Sequence, residues 1–411
     1  MSSNDYICKS TKEFWKATIA LSIGSFLIFS NLHMVQPLLP VFSHHFHVSP
    51  VTASLSLSLV TFTLSIFMLI FGPISDAIGR KNIMAMGLFG SSLMSILIFF
   101  SPNFSVLLVF RTLQGIFLAS LPAIAYAYIG EEYEREAIGI AIGVYISGNS
   151  IGGMGGRIIS GFIADLLGWQ YSFLIMGILG LLCFVLFLVL LPNCRHFHPH
   201  RFSLKTGIIE MIQHWKNPIL RQAYYIASII YFIFLGLFNY LSFYLHQAPY
   251  YLSTSIIGLL YISYLAGTFS STLSGKLDQF LSIPKRVFYG LVIIFIGILL
   301  MMLKPLILIL IGLTLVVFGF FFAHAASSSW VSLHASRAKA GASALYLLSY
   351  YMGGSIGGTL LGYVWDPFGW YGVIGVTIVL LILGIMISFK MKSILADRTK
   401  KEWESFRFPS L

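Results

Sequence analysis

The chain has 411 residues, of which 57% are hydrophobic and only 9% carry a charge, and its mean hydropathy is +0.87. Soluble domains contain about 25% charged residues, so these values exclude a water-soluble fold and indicate a membrane protein. The net charge of +11 does not indicate a nucleic-acid partner, because the basic residues are distributed according to membrane topology.

Twelve apolar stretches of about 20 residues, each long enough for one membrane crossing, follow one another along the chain. If the N-terminus lies in the cytoplasm, 22 of the 25 Lys and Arg residues fall in cytoplasmic segments. This bias predicts that both termini are cytoplasmic, and span 1 is too long for a cleaved signal peptide. We expect an all-α membrane protein with twelve transmembrane helices, numbered as spans 1 to 12, at 15–40, 52–73, 82–101, 104–128, 137–164, 171–191, 221–246, 254–276, 284–303, 305–329, 340–364 and 370–390.

Span 1 contains three polar side chains in an apolar context, Asn31, His33 and Gln36. Histidine titrates near neutral pH without help from its surroundings, and an ionisable group inside the membrane is a functional candidate. His33 is therefore a candidate proton carrier, the alternative being a neutral packing residue. Asn31 and Gln36 are predicted to line a substrate cavity.

Two charged motifs follow, one at the end of span 2 and one within span 4. The segment GPISDAIGRK at 72–81 closes span 2, and its spacing alone indicates a charged turn. The segment RTLQG at 111–115 puts Arg111 and Gln114 inside span 4. An arginine at the centre of a membrane helix costs about 2.5–3.5 kcal/mol, so Arg111 is expected to face protein or water. A packing role, through hydrogen bonds to span 1 or Gln114, is the alternative.

Span 5 contains the glycine-rich segment SGNSIGGMGGRIISG at 147–161. Gly148, Gly152 and Gly156 recur every four residues and so share one helix face. Small residues let membrane helices approach closely, which predicts a tight crossing of span 5 with another helix. This crossing is either purely structural or a surface on which the two halves of the protein rock.

Arg157 follows these glycines and lies near the predicted outer end of span 5. One interpretation is structural, with the side chain reaching outward or pairing with Asp165, two turns further along the helix. The other is that Arg157 offers a fixed positive charge to the transport pathway. Asn149, on the same span, is predicted to face the cavity.

A hydrophilic segment divides the twelve spans six and six. We predict an N-terminal six-helix bundle at 1–191, a cytoplasmic linker at 192–220, and a C-terminal six-helix bundle with a short basic tail at 221–411. The linker is expected to contain a short amphipathic helix.

The two halves repeat each other in sequence. YISGNSIGG at 145–153 matches YYMGGSIGG at 350–358, and DLLGW at 165–169 matches DPFGW at 366–370. Such repeats are typical of transporters whose substrate site lies between the repeats near the membrane midplane. The match makes span 11 the counterpart of span 5, and its predicted packing glycines are Gly354, Gly358 and Gly362.

Tyrosines are concentrated in the second half, which holds 15 of the 21 from residue 221 onward. An aromatic wall with sparse amides suits an amphipathic small molecule, although tyrosines also gather at membrane interfaces. No carboxylate is predicted deep within a span, so two buried arginines favour neutral or anionic ligands. His324 in span 10 is a second candidate proton carrier, and the predicted substrate-binding residues are Asn31, Gln36, Asn149, Arg157, Tyr231, Asn239, Tyr240, Tyr244, Tyr264 and Tyr350.

Three of these segments resemble motifs of the major facilitator superfamily, as do the twelve spans and the central linker. GPISDAIGRK resembles G-x-x-x-D-[RK]-x-G-[RK]-[RK], with Ala77 in place of the usual basic residue, and RTLQG resembles R-x-x-Q-G. The glycine segment resembles the span 5 motif of the superfamily's exporters, with Gly153 where proline is usual. The similarity is to bacterial inner-membrane efflux proteins of the drug:proton antiporter type. It implies proton coupling through Arg111 and Gln114, and an inner gate formed by Gly72, Asp76, Gly79, Arg80 and Lys81.

We therefore expect a secondary transporter of the bacterial inner membrane that exports a small amphipathic molecule by proton-coupled alternating access. The expected cargo is a drug-like compound, a carboxylated metabolite or an amino-acid-derived metallophore. The alternatives are a proton-coupled importer and a non-transporting membrane sensor or scaffold. We expect no cofactor and no metal site. We also expect no enzyme activity, since the two matches to the nucleophile motif G-x-S-x-G, GNSIG at 148–152 and GGSIG at 353–357, lie within apolar helices. The expected partners are substrate, proton and lipid, with the protein acting as a monomer.

Overall fold

The computed structural model describes residues 6–197, 204–335 and 339–407, and this part of the chain is almost entirely helical. Within these residues, eleven helical segments are long and apolar enough to cross a membrane. The last of them, Gly341–Ser393, has 53 residues and is interrupted at Gly369, whose φ of 58° and ψ of −149° are not helical. It therefore contains spans 11 and 12, and the prediction of an all-α, twelve-span membrane protein is confirmed.

The first six spans differ from single straight helices in two places. Span 1 breaks after His33 into a 3-10 turn, and span 4 breaks at Ala119. The helices are Lys12–His33, Gln36–Leu38 (the 3-10 turn) and Leu39–His45 in span 1, Pro50–Ile78 in span 2, Arg80–Phe99 in span 3, Phe104–Leu118 and Ser120–Glu132 in span 4, Arg135–Leu167 in span 5, and Trp169–Leu190 in span 6.

The second half begins with the linker helix Leu204–Lys216, which agrees with the predicted amphipathic segment. Span 8 is the broken one in this half. The helices are Pro218–His246 in span 7, Thr254–Leu259, Leu260–Ser263 (3-10) and Tyr264–Lys276 in span 8, followed by the 3-10 turn Leu277–Gln279, then Ile283–Met301 in span 9, Leu306–His334 in span 10, and Lys339–Arg407, which holds spans 11 and 12.

Side-chain caps begin several of the spans. Thr11, Ser49, Asn103 and Ser253 each accept a hydrogen bond from the backbone N–H three residues further on. The first turn of a helix has N–H groups without intrahelical partners, and Ser, Thr and Asn side chains satisfy them well. These residues therefore fix where the chain turns into the membrane.

The sequence repeat DLLGW and DPFGW corresponds to a repeated turn. Gly168 ends span 5 with a φ of 103°, and Gly369 separates spans 11 and 12 with a φ of 58°. L-residues with side chains rarely adopt positive φ, which explains why glycine occupies both positions. Trp169 and Trp370 then open the following spans and are both buried.

The chain divides into two compact units by its internal contacts. Unit 1 comprises Met1–Leu204, Phe238–Ile262 and Gly358–Asp366, and unit 2 comprises Lys205–Leu237, Ser263–Gly357 and Pro367–Leu411. Unit 1 therefore contains the first six spans together with one end of spans 7, 8 and 11. The boundaries predicted from the sequence at 191 and 220 stay a prediction.

Candidate functional site

The predicted glycine face of span 5 lies directly on the backbone of span 1. A Cβ atom added at any of its three glycines would collide with a main-chain atom, in the pairs Gly148–Ser22, Gly152–Phe26 and Gly156–Ser30. The Ser30 hydroxyl also donates a 2.9 Å hydrogen bond to the Gly152 carbonyl. The two helices thus touch backbone to backbone, as small residues in membrane helices allow.

Span 11 repeats this contact with span 7 in unit 2. A Cβ atom at Gly353 would collide with the backbone of Ser228, and one at Gly357 with that of Phe232. These two glycines, which the sequence analysis did not select, are the counterparts of Gly148 and Gly152 in the matched segments. The predicted glycines pack differently: Gly354 faces the Tyr231 ring, Gly362 faces Val51 and the Tyr240 hydroxyl, and the Gly358 carbonyl accepts a hydrogen bond from Tyr240.

Arg111 is fully buried and donates hydrogen bonds to the end of the span 1 helix that stops at His33. Its guanidinium donates to the carbonyls of Asn31 at 3.0 Å and Leu32 at 3.2 Å, and to the carbonyl of Ser56 in span 2 at 2.9 Å. A fourth bond, of 2.5 Å, reaches the side-chain oxygen of Gln114. The last carbonyls of a helix lack intrahelical donors, and Arg111 supplies them for the helix that ends at His33.

Gln114 and Asn31 extend this cluster into span 3. The Gln114 amide donates to the Ser95 hydroxyl at 2.7 Å and to the Ser91 carbonyl at 3.0 Å. Ser95 in turn donates to the side-chain oxygen of Asn31 at 2.7 Å. Asn31 is therefore fully buried within a polar network that joins spans 1, 3 and 4.

Arg157 is the centre of a second buried cluster in unit 1. Its Nε donates to the Gln36 side-chain oxygen at 2.5 Å, and the Gln36 amide donates to the side-chain oxygen of Asn239 at 2.9 Å. The guanidinium carbon lies 4.4 Å from the centre of the Tyr261 ring, a cation–π contact. Three of the predicted substrate-binding residues, Gln36, Arg157 and Asn239, are thus joined across spans 1, 5 and 7. The sequence analysis did not select Tyr261 of span 8, which contacts Arg157.

Two predicted tyrosines of span 7 lie elsewhere in unit 1. The Tyr240 hydroxyl donates to the Gly358 carbonyl at 3.0 Å and lies 3.4 Å from the Ser54 hydroxyl of span 2. The Tyr244 hydroxyl lies 3.4 Å from that of Tyr250. Neither tyrosine joins the aromatic cluster described next.

A cluster of aromatic rings surrounds His324 in unit 2. The imidazole Nδ1 lies 3.0 Å from the Tyr346 hydroxyl, and the imidazole ring is parallel to that of Phe320 and 4.8 Å from that of Tyr350. Tyr350 stacks on Tyr231 with 3.8 Å between ring centres. Phe234, which stacks on Phe320, connects the group to Tyr264. Four predicted residues therefore share one cluster, which we call the His324 cluster: Tyr231, Tyr264, His324 and Tyr350.

The remaining two predicted polar residues have unsatisfied atoms. His33 is buried, and its Nδ1 has no hydrogen-bond partner within the described part of the chain. The same holds for the side-chain oxygen of the half-buried Asn149. Buried polar atoms without partners are uncommon, and both of these atoms belong to that group.

The charged motif that ends span 2 forms an ion pair with Glu131, near the end of span 4. Arg80 forms ion pairs with Asp76 and with Glu131, the latter through two hydrogen bonds of 2.5 and 3.1 Å. Gly79 makes the turn with a φ of 111°. Lys81 donates to the carbonyls of Leu188 and Leu191 at the end of span 6. The motif thus fastens three helix ends of unit 1 to one another.

The family model described as Major Facilitator Superfamily matches residues 21–358. The chain belongs to the major facilitator superfamily. As a superfamily member with this fold, it is a multi-pass membrane transporter.

Superfamily relatives match nearly the whole chain. It is 39% identical to the uncharacterized MFS-type transporter YybF of Bacillus subtilis, over 93% of this chain and 95% of the relative. It is also 39% identical to the inner membrane transport protein YnfM of Escherichia coli, over 94% and 93%. Among solved structures, a bacterial homologue of the human lysosomal transporter Spinster covers 93% of this chain and 97% of its own, with a TM-score of 0.77 at 15% identity.

A more distant superfamily member has a stated activity. The multi-drug resistance efflux pump PmrA of Streptococcus pneumoniae is 27% identical over 221 residues, which is 53% of this chain and 55% of that protein.

Proposed function

We propose that this transporter exports a small amphipathic molecule, neutral or anionic, by alternating access coupled to protons. The N- and C-termini then lie in the cytoplasm, and the protein acts as a monomer in the bacterial inner membrane. The drug-like, carboxylated and metallophore classes of cargo all fit this description. The main support for the proposal is that the charges buried within the spans are positive.

The buried charges of the membrane region are positive. Arg111 and Arg157 are fully buried, whereas the one buried carboxylate in the described part of the chain, Glu132, is the last residue of its helix. A lipophilic cation would meet these arginines without a buried carboxylate to compensate it. Burying an unpaired charge is costly, so neutral and anionic cargo is favoured.

The lack of a deep carboxylate in the described spans directs attention to histidine as the proton carrier. His324 is half-buried, hydrogen-bonded to Tyr346, and enclosed by aromatic rings. Arg111, in contrast, uses its donors on main-chain carbonyls and Gln114. We therefore assign the proton to His324, with His33 as a second site, and a structural role to Arg111.

The proposed direction of transport, export, is supported by sequence similarity. The glycine segment of span 5 resembles the motif of the superfamily's exporters, and the distant relative PmrA is named an efflux pump. Alternating access itself is a rocking of two helical repeats around a midplane site. The repeated glycine contacts of span 5 on span 1 and span 11 on span 7 support such paired bundles.

The proposal is tested by transport into everted membrane vesicles energised by respiration, using matched anionic, neutral and cationic amphipathic compounds. We expect energy-dependent accumulation of anionic or neutral members, abolished when the pH gradient is collapsed. His324→Ala should flatten the pH dependence of this transport, while His246→Ala, at the end of span 7, should leave it unchanged. Accumulation of the cationic compounds alone would refute the proposed charge preference. A normal pH response in a His33→Ala/His324→Ala double variant would refute the histidine assignment.

A further inference from the structure

At one end of the spans, unit 1 brings together residues from both halves of the sequence, an arrangement that sequence analysis did not anticipate. The segments Phe238–Ile262 and Gly358–Asp366, from spans 7, 8 and 11, pack there with spans 1 to 6. By the positive-inside bias, this end faces away from the cytoplasm. What holds these segments to the first six spans determines whether this end can open.

Spans 5 and 8 meet through glycine at this end. A Cβ atom at Gly161 would lie 2.6 Å from the Thr254 carbonyl oxygen, and one at Gly258 would lie 2.8 Å from the carbonyl oxygen of Arg157. The two backbones therefore touch directly at these two glycines. Polar bonds around this contact add to its strength.

Asp165 supplies one of those polar bonds. Its carboxylate oxygen accepts the backbone N–H of Ser255 at 2.7 Å and the Ser255 hydroxyl at 2.5 Å. These donors lie in the first turn of the broken span 8. Hydrogen bonds to an ionised acceptor are about twice as strong as neutral ones. The last turn of span 5 thereby holds the first turn of span 8.

Arg157, two turns earlier, supplies the second polar connection. Through Gln36 it reaches Asn239 of span 7, and its guanidinium lies over the Tyr261 ring of span 8. One arginine therefore contacts, directly or through one amide, the spans 1, 7 and 8. The side chain is fully buried, and its Nε and Nη1 donate to the Gln36 side chain and the Gly153 carbonyl, so opening this end would expose a charge that protein groups now bind.

We infer that Asp165 and Arg157 are positioning residues that hold this end of the transporter shut: Asp165 latches the start of span 8, and Arg157 ties spans 7 and 8 to spans 1 and 5. The inference rests on the proposed alternating access, to which it adds the residues that open and close one side. Arg157 then acts in the gate, in addition to contributing to the buried positive charge of the spans.

Accessibility of one buried position tests the latch without any transport measurement. Cys8, Cys183 and Cys194 are replaced by serine, and Ser54→Cys is introduced as a reporter. Ser54 is fully buried in unit 1 and lies 3.4 Å from the Tyr240 hydroxyl. Right-side-out vesicles are treated with a membrane-impermeant maleimide, and the labelling rate of the reporter is measured.

Breaking the latch should raise the labelling rate. We expect Asp165→Ala and Ser255→Ala to raise it about tenfold or more, since a hydrogen bond to a charged group shifts an equilibrium by at least about that factor. Arg157→Gln should raise it further. Ser172→Ala is the matched control, because it removes a serine hydrogen bond of 2.9 Å to the Ser160 carbonyl between spans 6 and 5. That control should label at the parental rate.

Two results are decisive. Labelling of Asp165→Ala and Ser255→Ala at the rate of the Ser172→Ala control would overturn the latch, even if Arg157→Gln misfolds and yields no data. The proposed function fails separately, by the absence of energy-dependent transport in the parental protein. Because the labelling assay needs no substrate or gradient, failure of one proposal can be distinguished from failure of the other.

Discussion

The buried arginines of this transporter each have a specific set of acceptors. Arg111 bonds three main-chain carbonyls and Gln114, and Arg286 bonds the carbonyl of Ser274 and the carboxylate of Asp278. A charge in the membrane is tolerated when protein groups replace its hydration. The chain therefore uses arginine where a helix end or a break leaves carbonyls without donors.

Sequence could locate these residues and, as the packing alternative for Arg111, name span 1 and Gln114 as partners, but it could not identify the remaining partners. Arg111, Gln114 and Asn31 are recognisable as polar residues in apolar stretches, and they do form one cluster. The break of span 1 after His33, which leaves the carbonyls that Arg111 bonds without helix donors, lies four residues before Pro37, whose nitrogen has no proton to donate to the His33 carbonyl. Arg157 could likewise be selected from sequence, whereas its contact with Tyr261, 104 positions later in the chain, depends on tertiary packing and could not.

Replacing Arg111 by lysine tests the structural role at this position. Lysine keeps the charge but lacks the planar fork of donors, so the carbonyls of Asn31, Leu32 and Ser56 cannot all be satisfied. Each carbonyl left unpaired costs about 1–3 kcal/mol. We expect a clearly lower thermal unfolding temperature of the detergent-purified protein, measured by fluorescence-detected size exclusion, with Lys304→Ala as an exposed control. An unchanged unfolding temperature in Arg111→Lys would contradict the role.

At the scale of helices, the periodic glycines predicted the tight crossings but not their exact faces. Span 5 uses the predicted set, but span 11 uses Gly353 and Gly357 against the backbone of span 7. The predicted set, beginning at Gly354, lies on the adjacent face with the same spacing of four. Both faces satisfy the same rule of periodicity, so only the partner helix decides between them.

A methyl group added on this face should disrupt the crossing of spans 1 and 5. In Gly152→Ala the new Cβ atom would collide with the backbone of Phe26, which cannot rotate away. In Gly143→Ala, on the same helix, the Cβ atom would meet nothing within 4 Å, and alanine favours the helix by about 1 kcal/mol. We expect Gly152→Ala to lower the yield and unfolding temperature, and Gly143→Ala to preserve or raise them. Equal stability of the two variants would contradict the backbone contact.

The linker is fastened at its start by a buried carboxylate. Glu132, at the end of span 4, accepts the backbone N–H groups of Arg195 and His196 at 2.9–3.0 Å. Cys194 precedes them, and burial raises the pKa of its thiol, with the Glu132 carboxylate adding to the effect. Because the thiolate is the reactive form, Cys194 should react slowly with alkylating reagents near neutral pH.

Glu132→Gln should make Cys194 more reactive. The substitution removes a negative charge beside the thiol and weakens the hold on the linker, so the thiol pKa falls and alkylation at pH 7 becomes several-fold faster, because more of the thiol is ionised. Alkylation by iodoacetamide, followed by mass spectrometry in a Cys8→Ser/Cys183→Ser background, measures the rate. Above the thiol pKa the difference should shrink. Glu134→Gln, whose carboxylate accepts the Lys9 N–H, is the control. Equal alkylation rates of Cys194 in both variants at pH 7 would contradict the proposed effect of Glu132 on the linker and the thiol.

At the scale of the whole molecule, sequence was sufficient for the architecture. Apolar length, basic loops and two repeated segments predicted twelve spans in two related halves, because the membrane requires long helices with satisfied backbones. The His324 cluster was predicted in part, since tyrosines are visible in the sequence. Phe234 and Phe320, which connect Tyr264 with Tyr350, resemble any other lipid-facing phenylalanine until the helices are packed.

Substrate-dependent proton flux in proteoliposomes tests the central claim most directly. Purified protein is reconstituted with a pH-sensitive dye inside, and gradients of anionic, neutral and cationic amphipathic compounds are imposed without any other driving force. We predict that an anionic or neutral compound drives protons in the opposite direction, and that this flux is lost in His324→Ala. Protons moving in the same direction as the compound, or an undiminished antiport in His324→Ala/His33→Ala, would contradict the account.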